Sequence, residues 1–400
     1  MTDPFDIAII GGGPVGAALA LALRDSGLKI SLLEARKAQD SSPDPLVFNA
    51  QLSAPLISDP RALALSYGSR LLLTRLNVWD ALPLVSAIKT IHISQKNSFG
   101  RTRLCASDLN VPELGYVLPY AALQSAMHAA LLKSNVNFQH GASVRQLNPA
   151  TPGAEVLYQQ DGLDKTLCAQ LVVLADGGKT LEASQPATVH DYGQSAVIAH
   201  VTCSQPQQYM AYERFTPHGP LALLPYKNGY ELVWTVPSAL LDTLLQWDDS
   251  TLLSQLHQHF GDRVGNFLTV GARSSYPLRL KRAAKHNLPH TVLIGNAAQT
   301  LHPVAGQGFN LGLRDAWELA QHILRSSPAS LGSTDMLVDY SNARRLDRQA
   351  AITFTDGLVH LFSNDLTLLA PARAASLSLL DSFPGVKKFV AKRMMFGVNG

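Results

Sequence analysis

Charge is scarce in this chain. Lys, Arg, Asp and Glu supply 16% of its 400 residues, against about 25% in an average globular protein. The formal net charge is only +3, and no basic cluster is interleaved with aromatics, which excludes a nucleic-acid binder. Cysteine is nearly missing. Cys105, Cys168 and Cys203 are odd in number and widely spaced, so they form neither a disulfide framework nor a metal-ligand set, as expected in a reducing compartment. No uncharged run reaches bilayer length. The first apolar strand begins by residue 5, leaving no room for a signal peptide. A cytoplasmic protein is expected. The histidines do not recur at ligand spacing, so no metal site is expected. What remains is apolar bias, which suits a large core, a greasy substrate or a buried interface.

Glycine, by contrast, is concentrated where it can act. Phe5 to Ile10 reads as a buried parallel strand running into Gly11-Gly12-Gly13-Pro14-Val15-Gly16 and an Ala/Leu-rich helix to about Ser26. A second buried strand, Lys29 to Leu33, ends at Glu34. This is the dinucleotide fingerprint. Gly11 makes the tight turn, Gly13 admits a pyrophosphate close to the backbone, and Gly16 lets helix pack on strand. The acidic residue about twenty positions on accepts a ribose hydroxyl. A second stretch has the same physical character. Thr291 to Ile294 is apolar, Gly295 to Asp315 carries Gly306, Gly308 and Gly312, and a helix follows with Leu313, Ala316, Trp317 and Ala320 inward. Both helix starts present free N–H groups backed by the helix dipole. Two such ends point to one long phosphate-bearing cofactor held at both.

Between these motifs the pattern is α/β with an insertion. Asp40 to Ser58 is a long Ser/Pro-rich stretch. A helix is expected from Asp59-Pro60-Arg61 through Leu73, a strand over Ile88 to Gln95, a helix over Pro119 to Leu132, and strands over Val136 to His140 and Leu171 to Leu174. From about Ser195 to Pro277 the strands Ala196 to Thr202, Met210 to Phe215, Pro220 to Pro225 and Glu231 to Val236 read as antiparallel, interrupted by a helix over Ser250 to Phe260.

The combination of Gly11 to Gly16, Asp59-Pro60-Arg61, Ala175-Asp176-Gly177 and Gly295 to Asp315 resembles the FAD-dependent aromatic monooxygenases of the p-hydroxybenzoate hydroxylase type. Within that group, His302-Pro303-Val304-Ala305-Gly306-Gln307-Gly308-Phe309-Asn310 is similar to a signature of the ubiquinone-biosynthesis hydroxylases. Tyr212 to Pro225 resembles the branch that acts on 2-polyprenyl-6-methoxyphenols. The resemblance implies a glutathione reductase-type, Rossmann-like FAD domain over 1–75, 105–180 and 278–330. It implies an interleaved β-sheet substrate domain over 76–104 and 181–277, and a C-terminal helical region over 331–400.

It also implies roles. Gly11, Gly13, Pro14, Val15 and Gly16 would hold the FAD pyrophosphate, Glu34 the adenosine ribose, and Asn296 the ribityl chain. Arg61 would lie near the pyrophosphate and the reductant's path, with Gln124 a further FAD contact. Asp176 would serve FAD and NAD(P)H. Gly306, Gly308, Phe309 and Asn310 would approach the pyrimidine end of the flavin, where the helix dipole favours the anionic reduced form. The implied reaction hydroxylates a polyprenylated phenol with O2 through a flavin C4a-hydroperoxide. The protein supplies position and excludes water, and no Ser-His-Asp triad is needed.

Catalytic candidates stand beside plainer readings. His218 would bond the phenol or simply sit in a turn. Tyr212 would line the pocket or pack. His302, before the flavin-facing Pro303, would lie near the isoalloxazine ring or make a loop hydrogen bond. The sequence after Asp176-Gly177 lacks the Ser and Arg often found downstream in the family, and no second glycine fingerprint exists for NAD(P)H, which is therefore expected to bind transiently. The basic, apolar segment Val386 to Phe396 would pack on its own domain, dock in a ubiquinone-biosynthesis complex or lie on a membrane surface. Two other functions keep the fold: a flavoenzyme for a small soluble aromatic or an isoprenoid double bond, and a non-catalytic assembly subunit.

Overall fold

A computed structural model of the chain describes residues 4–37, 61–151, 153–181, 187–362 and 370–398. The stretch from Asp40 to Ser58, with Asp59 and Pro60, lies outside them. Among the described residues the strands form an eight-, a nine- and a three-stranded sheet.

The eight-stranded sheet carries the first motif. Strand Phe5–Ile10 pairs in parallel with Ile30–Glu34 on one side and with Leu163–Leu174 on the other, and Thr291–Leu293 extends the parallel set. Ile7, Ala8 and Ile9 are wholly buried because helices Pro14–Leu23 and Gln307–Arg325 cover the face of Ile7 and Ile9, while strands Ser143–Pro149 and Ala154–Gln160 cover the face of Ala8. Helix Pro14–Leu23 starts with proline at its first turn, where the missing N–H costs nothing, and packs against helix Gln307–Arg325. The C-terminal ends of these parallel strands therefore bring the turns after Ile10 and after Leu293 to one edge, where ligands bind in open α/β sheets.

The nine-stranded sheet runs in the order 299–300, 274–283, 187–203, 229–237, 219–226, 210–216, 90–95 and 101–105, with 267–270 also on 187–203. Its outer face buries Tyr212, Leu221, Leu223, Tyr230 and Trp234 against helix Asp249–Phe260. Strand alternation then turns Ala211, Glu213, Ala222 and Val233 to the inner side. Strand Ser274–Ala283 runs across the division expected at residue 277, and Arg101–Cys105 across that at residue 104.

One local expectation is corrected. The helix expected from residue 59 begins only at Tyr67. Ala62–Ser66 is a strand, because its Ala-Leu alternation pairs antiparallel with Gly115–Pro119, and Ser66 then caps helix Tyr67–Arg75 by accepting from the Ser69 N–H. The four strands expected to be antiparallel are so among themselves, but the sheet also takes in a parallel partner. Met210–Thr216 is antiparallel to Gly219–Tyr226 but parallel to Thr90–Gln95, which reaches it from a distant part of the chain. At the C-terminus, helices Thr334–Phe362, Ala370–Ser382 and Pro384–Phe396 contribute Phe354, Leu377 and Met394 to the space under the sheet. No described helix is long and apolar enough to cross a membrane.

Candidate active site

The first turn is built by contacts that exclude side chains. Gly11 has φ +106°, and a Cβ there would stand 2.7 Å from the Ala175 carbonyl carbon; one on Gly16 would stand 2.0 Å from the Gly11 oxygen. Gly13 is different. Its nearest prospective neighbour is the Tyr120 hydroxyl at 3.8 Å, so its backbone faces open space. The helix N-terminus behind it has no side-chain cap, leaving its N–H groups for a ligand. Glu34 closes the turn. Its Oε2 accepts from the Gly12 N–H at 2.8 Å, and its Oε1 accepts from the Arg36 N–H at 2.9 Å. His128 Nε2 donates to the Gly12 carbonyl at 2.8 Å.

The second turn is clamped from beneath. Asp315, wholly buried, accepts at Oδ2 from the Gly295 N–H (3.2 Å) and Gln299 Nε2 (3.0 Å). Its Oδ1 accepts from Arg344 Nε (2.8 Å) and Arg348 Nε (3.3 Å) on the long helix Thr334–Phe362. Burial alone would raise its carboxyl; Arg348 and Arg344 outweigh that and hold it below the ordinary carboxylate value. Asn310 ties the same loop to strand Ala62–Ser66. It accepts from the Ser66 N–H (2.8 Å) and Ser69 Oγ (2.6 Å), and donates to Ala64 (3.1 Å) and Gly306 (2.7 Å) carbonyls. Helix Gln307–Arg325 starts after Gly306 at φ +61° with no side-chain cap. A Cβ on Gly308 would meet nothing nearer than 4.0 Å. Val15 joins the two turns: Cβ atoms on Gly295 and Gly312 would stand 3.1 and 2.9 Å from its methyls.

Both uncapped helix ends border one cavity of about 1260 Å³. That exceeds the ~300–1,000 Å³ of a site for a single small ligand. Gly11, Gly13, Pro14, Val15, Glu34, Arg61, Asp176, Asn296, Pro303, Gly306, Gly308, Phe309 and Asn310 line it. Arg61 lies between Tyr120, at the start of helix Tyr120–Leu131, and Tyr276 of strand Ser274–Ala283, 5.1 and 5.4 Å from their ring centres. Asp176 spends its carboxylate on its own turn, accepting from Gly178 and Thr180. Gly16 and Gln124 lie behind the lining, Gln124 buried in helix Tyr120–Leu131.

The catalytic candidates separate. Pro303 faces the cavity, but His302 does not. It is buried against Tyr192 with its Nδ1 accepting from the Val304 N–H, and burial pulls it down to about 4, so the loop hydrogen bond is its contact. His218 is exposed in the turn between strands Met210–Thr216 and Gly219–Tyr226, where it offers only its carbonyl, to Gln194. Tyr212 borders the cavity, yet its ring packs edge-on against Phe260 at 5.2 Å on the sheet's outer face. The residue beside it points inward. Glu213 lines the cavity, partly accessible to it, and burial alone pushes its carboxyl up to about 7. Among the described residues it has no ion pair or hydrogen bond.

Sequence comparison agrees with this geometry. Residues 4–355 match the FAD binding domain family. The ubiquinone hydroxylase UbiL of Rhodospirillum rubrum is 31% identical, with 98% of this chain and 89% of that protein covered. The 3-demethoxyubiquinol 3-hydroxylase of Escherichia coli is 30% identical, with 99% of both covered. The chain belongs to the FAD-binding monooxygenase family that includes the ubiquinone-biosynthesis hydroxylases. The fold is shared more widely: p-nitrophenol 4-monooxygenase PnpA of Pseudomonas putida superposes with a TM-score of 0.76 at 16% identity, covering 99% of this chain and 98% of that one.

As a member of this monooxygenase family the protein is an enzyme with FAD as cofactor. The residues fit the group. Two uncapped helix N-termini suit the pyrophosphate and the electron-rich flavin edge, and the side-chain-free approaches at Gly13 and Gly308 leave room for backbone contact. Sequence reasoning missed three residues of this family member's site. His128 and Asp315 act through contacts with residues far along the chain. Glu213 had a visible signal, an acid alternating with apolar residues in a strand, but nothing local says which face of the strand turns inward.

Proposed function

We propose that this monooxygenase hydroxylates the ring of a polyprenylated phenol of the 2-polyprenyl-6-methoxyphenol type in ubiquinone biosynthesis. The observation that carries the proposal is the character of the cavity beyond the glycine turns. It passes under the apolar inner face of the nine-stranded sheet, at Ile91, Ile93 and Leu224, and on beneath the C-terminal helices at Leu377, Val390 and Met394. A small aromatic carboxylate would need a free cation there. The described sheet residues lining the cavity include one, Arg279, and it pairs with Asp191 at 2.9 Å.

In this reading Gly11, Gly13, Pro14 and Val15 hold the FAD pyrophosphate, with Gly16 and Gln124 supporting the turn and helix behind. Glu34 receives the ribose and Asn296 the ribityl chain. Gly306, Gly308, Phe309 and Asn310 face the pyrimidine end, where the positive helix end stabilises negative charge. Arg61 borders the pyrophosphate and Asp176 shapes the neighbouring turn. Bound FAD supplies the activation of O2; the chain orients the ring and keeps water out. NAD(P)H serves as a transient reductant, consistent with a single glycine fingerprint.

The outer face of helix Pro384–Phe396 exposes Val386, Phe389, Lys388 and Lys392, while its inner face reaches the cavity through Val390 and Met394. An apolar, basic outer face suits contact with an anionic membrane surface holding a lipid substrate. The functional test is the profile of prenylated phenols and quinones in cells lacking the gene. Accumulation of 2-polyprenyl-6-methoxyphenol, or of the polyprenylphenol before methoxylation, is expected. A normal quinone profile would overturn the assignment.

A further inference from the structure

Glu213 is the one carboxylate among the described residues by which the nine-stranded sheet lines the cavity. It sits in the middle of strand Met210–Thr216, in register with Ile93 on one side and Ala222 on the other, with Ala211 and Phe215 flanking it on the same face. Phe215 packs against Val304, the residue after the flavin-facing Pro303, in a cluster that Ile93 also touches. Glu213 therefore lies two residues, roughly 7 Å along the backbone, from the side chain that packs against the loop closing the flavin end of the site.

A carboxylate is costly in such a place unless something pairs with it. Nothing in the described protein does. On the strand beside it, His92 turns to the opposite face, against Tyr212. The helices facing the sheet present Phe354, Leu358 and Leu377 to the cavity. The ionisable groups on those helices are engaged elsewhere: Asp356 with Tyr192, Asp381 with Thr102 and Arg103, and Lys387 with Asp108 and Asp381, while the buried Arg373 has contacts of its own. Arg61, Lys179 and Asp176 belong to the cofactor end.

We propose that Glu213 is the group that receives the substrate's phenolic O–H, accepting its hydrogen bond and then its proton as the ring is hydroxylated. This rests on the phenol hydroxylase reading above. The proton moves from the phenol oxygen to a Glu213 carboxylate oxygen, leaving the ring electron-rich when one atom of O2 is transferred to a ring carbon. The other oxygen atom leaves as water, with the two electrons supplied by reduced FAD. The ring carbon then loses its own hydrogen as a proton, which goes to the oxygen that leaves as water, and Glu213 returns the first proton to the phenolate of the product. A carboxyl poised near neutrality suits both directions of transfer. The apolar walls explain why one polar contact suffices to orient the ring: the prenyl tail has no other hydrogen-bonding claim.

The test uses the FAD-loaded protein reduced with dithionite, so that no natural reductant is needed, mixed with O2 and 2-prenylphenol across neutral pH. For wild type the hydroxylated product should form with a rate that rises through an apparent pKa near 7. Glu213→Gln should lower that rate on the order of 100-fold and abolish the rising limb. FAD content and the midpoint for 2-prenylphenol binding should change by no more than about threefold. Glu213→Asp should keep a shifted limb. A Glu213→Gln variant with the wild-type rate, or a slow one that retains the limb, overturns the role of Glu213 alone. Failure of wild type itself to hydroxylate any prenylphenol overturns the substrate reading on which it rests.

Discussion

Replacing Glu213 with glutamine should make the protein more stable, by an amount that grows with pH. In the folded state the carboxyl titrates near 7 instead of the ordinary 4.5, because the charged form loses water and gains no partner. The raised value means that the native state prefers the proton. The stability tied to that proton is complete below about 4.5 and is lost as pH rises through about 7. A shift of about 2.5 units corresponds to roughly 3 kcal/mol at 1.36 kcal/mol per unit. Water entering the cavity trims the figure to about 2–3 kcal/mol near pH 8. Glutamine cannot ionise, so it escapes the penalty at every pH. The assay is thermal denaturation of both proteins with FAD in the same large excess, since bound cofactor itself raises Tm. The difference in Tm should widen by a few degrees between about pH 5.5 and 8. A constant difference, or a variant less stable than wild type at the higher pH, would refute the claim that a lone carboxylate is held there. Stability gained together with turnover lost is the pattern of a group kept for function.

Three further outcomes are expected. Asp315→Asn should cost about 3–5 kcal/mol, because Arg348 loses its buried counter-charge and Arg344 keeps only Asp347, at 2.8 Å; a Tm close to wild type would mean that the clamp beneath Gly295 carries little. Arg61→Ala should weaken FAD retention or slow reduction by NAD(P)H, and unchanged flavin content with unchanged reduction rate would remove Arg61 from the cofactor site. Replacing both Val386 and Phe389 with aspartate should lower sedimentation with anionic vesicles while leaving FAD content intact, since both side chains are exposed; undiminished vesicle binding would discard the membrane role of that helix.

The FAD family could be read from the chain because its signals are local. A strand, a glycine turn and a helix start lie within about a dozen residues, and backbone sterics decide which positions tolerate only glycine. Gly11 shows the connection directly, with its positive φ and the Ala175 carbonyl where a Cβ would go. The α/β class followed from the same periodicities. Tertiary structure decided the rest. Ala62–Ser66 became a strand because Gly115–Pro119 was there to pair with it. Asn310 spends its side chain on Ser66, Ser69 and Ala64, partners invisible in its own segment. Tyr212 and Glu213 differ by one position, and a strand sends such neighbours to opposite faces. Which of the two met the cavity was set by where helix Asp249–Phe260 packed. The sequence alone determined the backbone turns and the cofactor they accept, since those depend on residues next to one another; the identity of the side chain facing the substrate depends on what covers the other side of the sheet.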